Sequence, residues 1–105
     1  MKIPLEQAVG GLVSFLSGEA SKISSMGDKF LMYGALGALK ANPSRVLAKY
    51  IETMEMLGIV SEGMVDVDAV KSALDSAFDA VPNFHAIGFT FTRDDVPALV
   101  RNMGV

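Results

Sequence analysis

Asn42-Pro43-Ser44-Arg45-Val46-Leu47-Ala48-Lys49-Tyr50-Ile51-Glu52-Thr53-Met54-Glu55-Met56-Leu57-Gly58 is the best-punctuated stretch of this chain. Asn42 suits a helix N-cap, because its side-chain oxygen accepts from a first-turn N–H that has no helical partner. Pro43 follows at the first helical position, where no N–H is needed. Val46, Leu47, Tyr50, Ile51, Met54 and Leu57 recur at helical spacing and form one apolar stripe. Gly58 stands where a left-handed residue closes a helix. The expectation is a central helix, with Leu47, Tyr50, Ile51 and Met54 buried and the other elements packed around it.

Upstream, Lys29 to Lys40 reads as a second helix, apolar on nearly all sides and so expected in a well-covered position. Gly34, Ala35, Gly37 and Ala38 give it small surfaces for close helix contact. Ser24, Ser25 and Asp28 are the candidate caps. Pro4 to about Lys22 reads as the first helix, with Leu5, Val9, Leu12, Val13, Leu16 and Ala20 on one face. Gly10 and Gly11 each cost this helix about 1 kcal/mol relative to Ala, which fits a place where another backbone comes close.

Downstream, Ile59 to Val67 places short β-branched pairs around Ser61-Glu62-Gly63, as in a small hairpin. Asp66 or Asp68 opens a fourth helix to about Val81, ended by Pro82-Asn83. Phe84 to Thr92 alternates as one strand, with His85, Ile87, Phe89 and Phe91 on one side. If Met64–Val67 pairs with it across the fourth helix, the two strands are parallel. A fifth helix follows. Asp94 is preferred to Thr92 as its cap, because Pro97 then falls where the N–H is free. The fold class expected over residues 1–105 is mainly α with a minor β part. It is a single-domain bundle of about five helices, with one or two short strands around residues 59–67 and 84–92.

Composition narrows the function classes. At 105 residues the chain holds one core. Half the residues are apolar and the mean hydropathy of +0.38 is high for so short a chain, so some apolar side chains are expected exposed or at an interface. There is no cysteine, which excludes disulfides, thiolate zinc sites and a cysteine nucleophile. The missing cysteines and the lack of a secretory pattern point to the cytoplasm. The longest apolar run, Phe30–Leu39, is too short to span a bilayer. Net charge is −3, but residues 1–52 hold six Lys/Arg against four Asp/Glu, and residues 53–105 three against eight. That asymmetry allows head-to-tail attraction between chains or attraction between the halves of one fold.

Chemistry-bearing motifs are few. His85 is the only histidine, and a metal site needs several convergent donors. Asp66-Val67-Asp68 lacks the rest of a calcium loop. No phosphate-cradling glycine motif or nucleophile elbow is present. No catalytic, metal or cofactor-binding residues are therefore assigned. Asp68, Lys71, Asp75 and Asp79 share a helix face, with Asp75 and Asp79 repelling one turn apart. Lys40, Arg45 and Lys49 lie around a tight corner between two helices that precedes a hairpin, as in a winged helix-turn-helix. Glu52, Glu55 and the acidic net charge weigh against nucleic acid. The expected function is a non-catalytic interaction or assembly module. It would bury an apolar helical surface against a protein partner or a copy of itself, drawing on Ile3, Leu12, Phe15 and Met32. A nucleic-acid binder and a small enzyme using convergent carboxylates are the alternatives.

Overall fold

Helix α1 (Leu5–Ala20), not the Asn42–Gly58 helix, is the centre of the molecule in the computed structural model, which describes residues 1–105. Pro4 precedes it with φ −57°, the angle its ring imposes. Six of its residues are buried, among them Val9, Val13 and Phe15. The two apolar clusters of the core meet along it, with Leu5 and Leu16 packed against both. Of the adjacent glycines only Gly11 permits a close approach. A Cβ there would lie 2.6 Å from Met103 Cα and 2.7 Å from the Asn102 carbonyl oxygen, whereas a Cβ at Gly10 would meet nothing within 4 Å.

The local helix signals around Asn42 all hold. Asn42 Oδ1 accepts the backbone N–H of Arg45 at 3.2 Å. Pro43 opens α3 (Pro43–Met56), and Gly58 ends it with φ +74°. Its expected burial does not hold. No residue of α3 is buried: Leu47, Ile51 and Met54 are half-buried and Tyr50 is 55% exposed. Caps and stripe report the backbone of one segment. How much of the stripe is covered depends on its neighbours, and α3 rests mainly on α2 and on the edge of β2, with Leu47 and Met54 alone reaching the core clusters. Helix α2 (Met26–Ala41) departs in the same way. Ser25 caps it, accepting from the N–H of Asp28, but only Met32 and Leu36 are buried, because α2 lies on α1 with one side alone.

A strand the sequence reading missed, β1 (Lys2–Pro4), pairs antiparallel with β3 (Met64–Asp66), which also pairs with β2 (Val60–Ser61). Ile3, Val65 and Val60 stand in register across the three strands, and all are buried. The β2–β3 turn is Glu62-Gly63, with φ +53° and +75°, the left-handed pair of a two-residue hairpin. Asp66 then caps α4 (Val67–Ala80), its Oδ1 accepting the N–H groups of Asp68 and Ala69.

The strand expected over Phe84–Thr92 is a second hairpin instead, β4 (Asn83–Ala86) with β5 (Phe89–Thr92), and it does not pair with Met64–Asp66. Ile87 and Gly88 turn the chain with φ +44° and +73°. The alternation of Phe84 to Thr92 continues through this turn, so the pattern in the sequence is that of a single strand. Phe89 and Phe91 set their rings edge-on to Phe15, with centroids 6.4 and 6.0 Å away. Phe78 of α4 stacks at 5.5 Å on Phe91. These aromatic contacts, each worth about 0.5–1.5 kcal/mol beyond burial, fasten the hairpin to α1 and α4. The chain ends in a 3-10 turn (Arg93–Asp95) and α5 (Val96–Asn102). A Thr92–Asp95 capping box opens this segment, with the Thr92 N–H donating to Asp95 Oδ2 at 2.8 Å, so the preference for Asp94 is corrected. Asp95 shortens the box, and the 3-10 turn it makes leaves Pro97 in the first turn of α5.

The neighbouring glycines give a sharp test. Gly11→Ala must push α5 off α1 and lower the urea midpoint markedly, while Gly10→Ala, free of contacts, stabilises by about 0.5–1 kcal/mol through helix propensity. Phe15→Ala is expected to cost about 3–5 kcal/mol. Leu47→Ala, at a half-buried position, is expected to cost less than about 2 kcal/mol in the same titration.

Candidate functional site

The candidate chemical groups do not converge. His85, on β4, is exposed and sits 3.0 Å from Thr90 Oγ1 across its own hairpin. No group of three or more His, Cys, Asp or Glu is placed to hold a metal. Glu55, Glu62, Asp66 and Lys2 line an open depression of about 520 Å³ beside the β2–β3 hairpin. Of these, Asp66 is committed to capping α4. Beside it the amino group of Met1 donates to Asp68 Oδ2 at 2.8 Å. That hydrogen bond raises the amino pKa and lowers the carboxyl pKa, so this exposed pair is intact at neutral pH, weakening as Asp68 protonates in acid or the amine deprotonates in base.

The acidic face of α4 is answered in part within the chain. Arg93 donates to Asp79 Oδ1 at 2.7 Å and to the Asp75 carbonyl at 3.2 Å. It therefore offsets Asp79 directly and Asp75 through its charge alone. The basic group is thin by comparison. Lys40 is near the end of α2, Arg45 and Lys49 lie one turn apart on α3, and all three are exposed. Glu52 and Glu55 continue the same helix, and Glu62 occupies the tip of the hairpin that would act as a wing.

Of the four apolar residues expected at an interface, three are in the core. Ile3, Phe15 and Met32 are buried within the chain. Leu12 is half-buried and lines an apolar groove of about 270 Å³ among α1, α3, α4 and α5. Leu47, Met54, Leu74 and Leu99 also line this groove, and all fourteen of its residues are apolar. With no polar group in the wall, nothing in it would orient a ligand.

The exposed apolar surface is the outer side of α2. At helical period, Met32, Leu36 and Leu39 face α1. The opposite arc carries Gly27, Phe30, Leu31, Gly34, Ala35, Gly37, Ala38 and Ala41, and every one is exposed. Phe30 is 68% and Leu31 63% exposed. The helix's charged side chains, Asp28, Lys29 and Lys40, fall on the flanks toward α1, and exposed Tyr33 borders the arc, so the outer face carries no charge. That inverts the ordinary arrangement of a surface helix. A Cβ at Gly27, Gly34 or Gly37 would meet nothing within 4 Å. Each of these glycines lowers helix propensity by about 0.8–1 kcal/mol relative to Ala, and no neighbour in this chain requires it. The sequence signal for this face was present: charges confined to three positions of a sixteen-residue helix.

Compared with known proteins, the chain matches no protein-family model, and no curated protein and no solved structure matches it significantly.

Proposed function

We propose that this chain is a small interaction module that docks a protein partner on the outer face of α2, without a catalytic centre, in the cytoplasm. The observation that carries the reading is the uncharged, largely apolar outer arc of α2, which includes the exposed Phe30 and Leu31 and is bordered by Tyr33. Contiguous exposed apolar surface rimmed by charge marks interaction sites. Two further features support it. The glycines of the arc are unexplained by packing within the chain, and His85 pairs with Thr90 while Asp66 caps α4. The cysteine-free sequence supports the location.

The test is the double variant Phe30→Lys/Leu31→Lys. Its circular dichroism and thermal midpoint should match the wild type, because neither side chain is core, and its binding of an apolar fluorescent dye should fall severalfold. An unfolded variant would show that these residues support the chain's own core, and unchanged dye binding would show that the face is not the apolar surface.

The order of α2, a tight corner, α3 and the β2–β3 hairpin favours a second reading, a winged helix that binds nucleic acid. Lys40, Arg45 and Lys49 would carry it, but duplex binding needs several phosphate-facing cations, and acids lie beside them. A gel shift with generic duplex DNA at physiological salt should show no complex. Micromolar binding that weakens steeply with salt would reverse the order of the two readings.

A further inference from the structure

Apart from the α2 face, we propose that α3 is a hinged lid over the apolar groove, exchanging between a seated and a lifted position while the rest of the chain stays folded. Of the five α-helices it alone has no buried residue. No salt bridge and no side-chain hydrogen bond joins it to another element, and Arg45, Lys49, Glu52 and Glu55 are all exposed. The backbone bonds that leave it are those of its own ends, with Asn42 on one side and with Leu57, Gly58 and Ile59 on the other. Lifting α3 therefore breaks no polar contact with the body of the molecule.

What α3 covers is apolar throughout. Leu47 and Met54 are its share of the groove wall, and Val9 and Leu12 of α1, Leu74 of α4 and Leu99 of α5 stand in the same wall. The space of about 270 Å³ among them is open, so α3 is not pressed down on the body as a core helix is. Water in that space finds no polar partner, which draws α3 down. Only Leu47 in one core cluster and Met54 in the other hold it there. A helix under so little restraint belongs to the low-stability end of a structure, where local opening precedes global unfolding. Its two ends supply the pivots. At Asn42, with φ −149° and ψ 78°, the chain leaves the helical region between α2 and α3. At Gly58, with φ +74°, a Cβ would meet nothing within 4 Å, so the far end has room to turn. Both lie at element ends, where hinges absorb changes in φ and ψ. Arg45, Lys49 and Glu52 sit away from the stripe at helical period, so either position leaves them in water. Lifting uncovers the stripe and the groove floor together, a second apolar surface in which α2 has no part.

The chain has no cysteine, so a single introduced thiol reports on its own position. Val9 and Val13 lie one turn apart on α1 and belong to the same buried cluster, but only Val9 lines the groove. Val13 is the more exposed of the two, at 8% against 5%, so static exposure alone would favour labelling there. Val9→Cys and Val13→Cys are labelled with a disulfide reagent without denaturant, and each rate is divided by that variant's unfolded fraction from a urea titration. The corrected rate should be about tenfold faster at position 9 and nearly independent of low urea, the mark of local opening. Adding Leu47→Ala, which removes one of the two core contacts of α3, should raise the corrected rate at position 9 severalfold and leave that at position 13 unchanged. Equal corrected rates at the two positions, with the same urea dependence, would show that the groove opens only by global unfolding and would overturn the lid. Fast labelling at position 9 that Leu47→Ala does not alter would show that another element opens, and would overturn α3 as the gate.

Discussion

The constraint on which the rest of the structure depends is the crossing of α5 over α1 at Gly11. There the backbone at Asn102 and Met103 comes so close that even a methyl group on α1 would overlap it. Gln7, one turn earlier on α1, donates its side-chain amide to the Met103 carbonyl at 2.8 Å, so the crossing is also tied by a bond to the end of α5. With α5 held, Leu99, Val100 and Met103 enter the same cluster as Ile3, Val65 and Phe15. The preceding β4–β5 hairpin is then drawn against α1, where Phe89 and Phe91 meet Phe15 edge-on. One missing Cβ thus joins the two ends of the chain, and the three-stranded sheet and the aromatic cluster form around that junction.

What surrounds this junction is thin. Only 17 of 105 residues are buried, and no buried side-chain polar atom lacks a partner, so stability comes from apolar burial and backbone bonding rather than from any polar network. Neither α2 nor α3 has a second layer over it. The hydrophobic free energy available to a chain of this length is limited by its surface, and a folded state near the margin gains stability by mass action from anything that binds it alone. An uncovered apolar face on α2 is therefore linked to the smallness of the core: covering it would stabilise the chain as well as serve a partner.

Much of the fold was legible because much of it is local. Asn42, Asp66 and Gly58 mark element ends through hydrogen bonds and φ angles set within a few residues, and those marks hold. Tertiary burial is not local. The α3 stripe had the best signature in the chain, yet no element packs over it, and its residues stay half-exposed. The Phe84–Thr92 alternation survives the turn at Ile87-Gly88 because two paired strands and their turn can keep one parity. β1 is three residues long and includes Pro4, too short for any periodicity. For the candidate site, Gly34, Ala35, Gly37 and Ala38 were recognisable as a surface for close helix contact. Which way that surface points depends on where Met32 and Leu36 settle, and the sequence does not state that α1 takes them. Ile3, Phe15 and Met32 were apolar residues in excess of one stripe, and sequence alone does not distinguish an excess that closes the core from one that opens outward.

The choice of small residues on the outer face of α2 has its own physical logic. An arc of leucines would expose far more apolar area and would bind indiscriminately, since hydrophobic attraction is non-directional and scales with area. Glycine and alanine expose little, so the uncovered face is tolerable in water, with Phe30 and Leu31 supplying most of the apolar area. For a partner docked there, they would also move recognition from area to shape. A helix surface without Cβ branches presents its backbone, and only a surface that brings a large side chain to each shallow position can make close contact along its length. Dispersion forces fall away over gaps of less than an ångström, so a partner that fits gains along the whole helix and one that does not gains almost nothing. The helix propensity lost at Gly27, Gly34 and Gly37 would on the proposed reading be a cost of selectivity, borne by a helix whose inner side, through Met32 and Leu36, is held on α1 regardless.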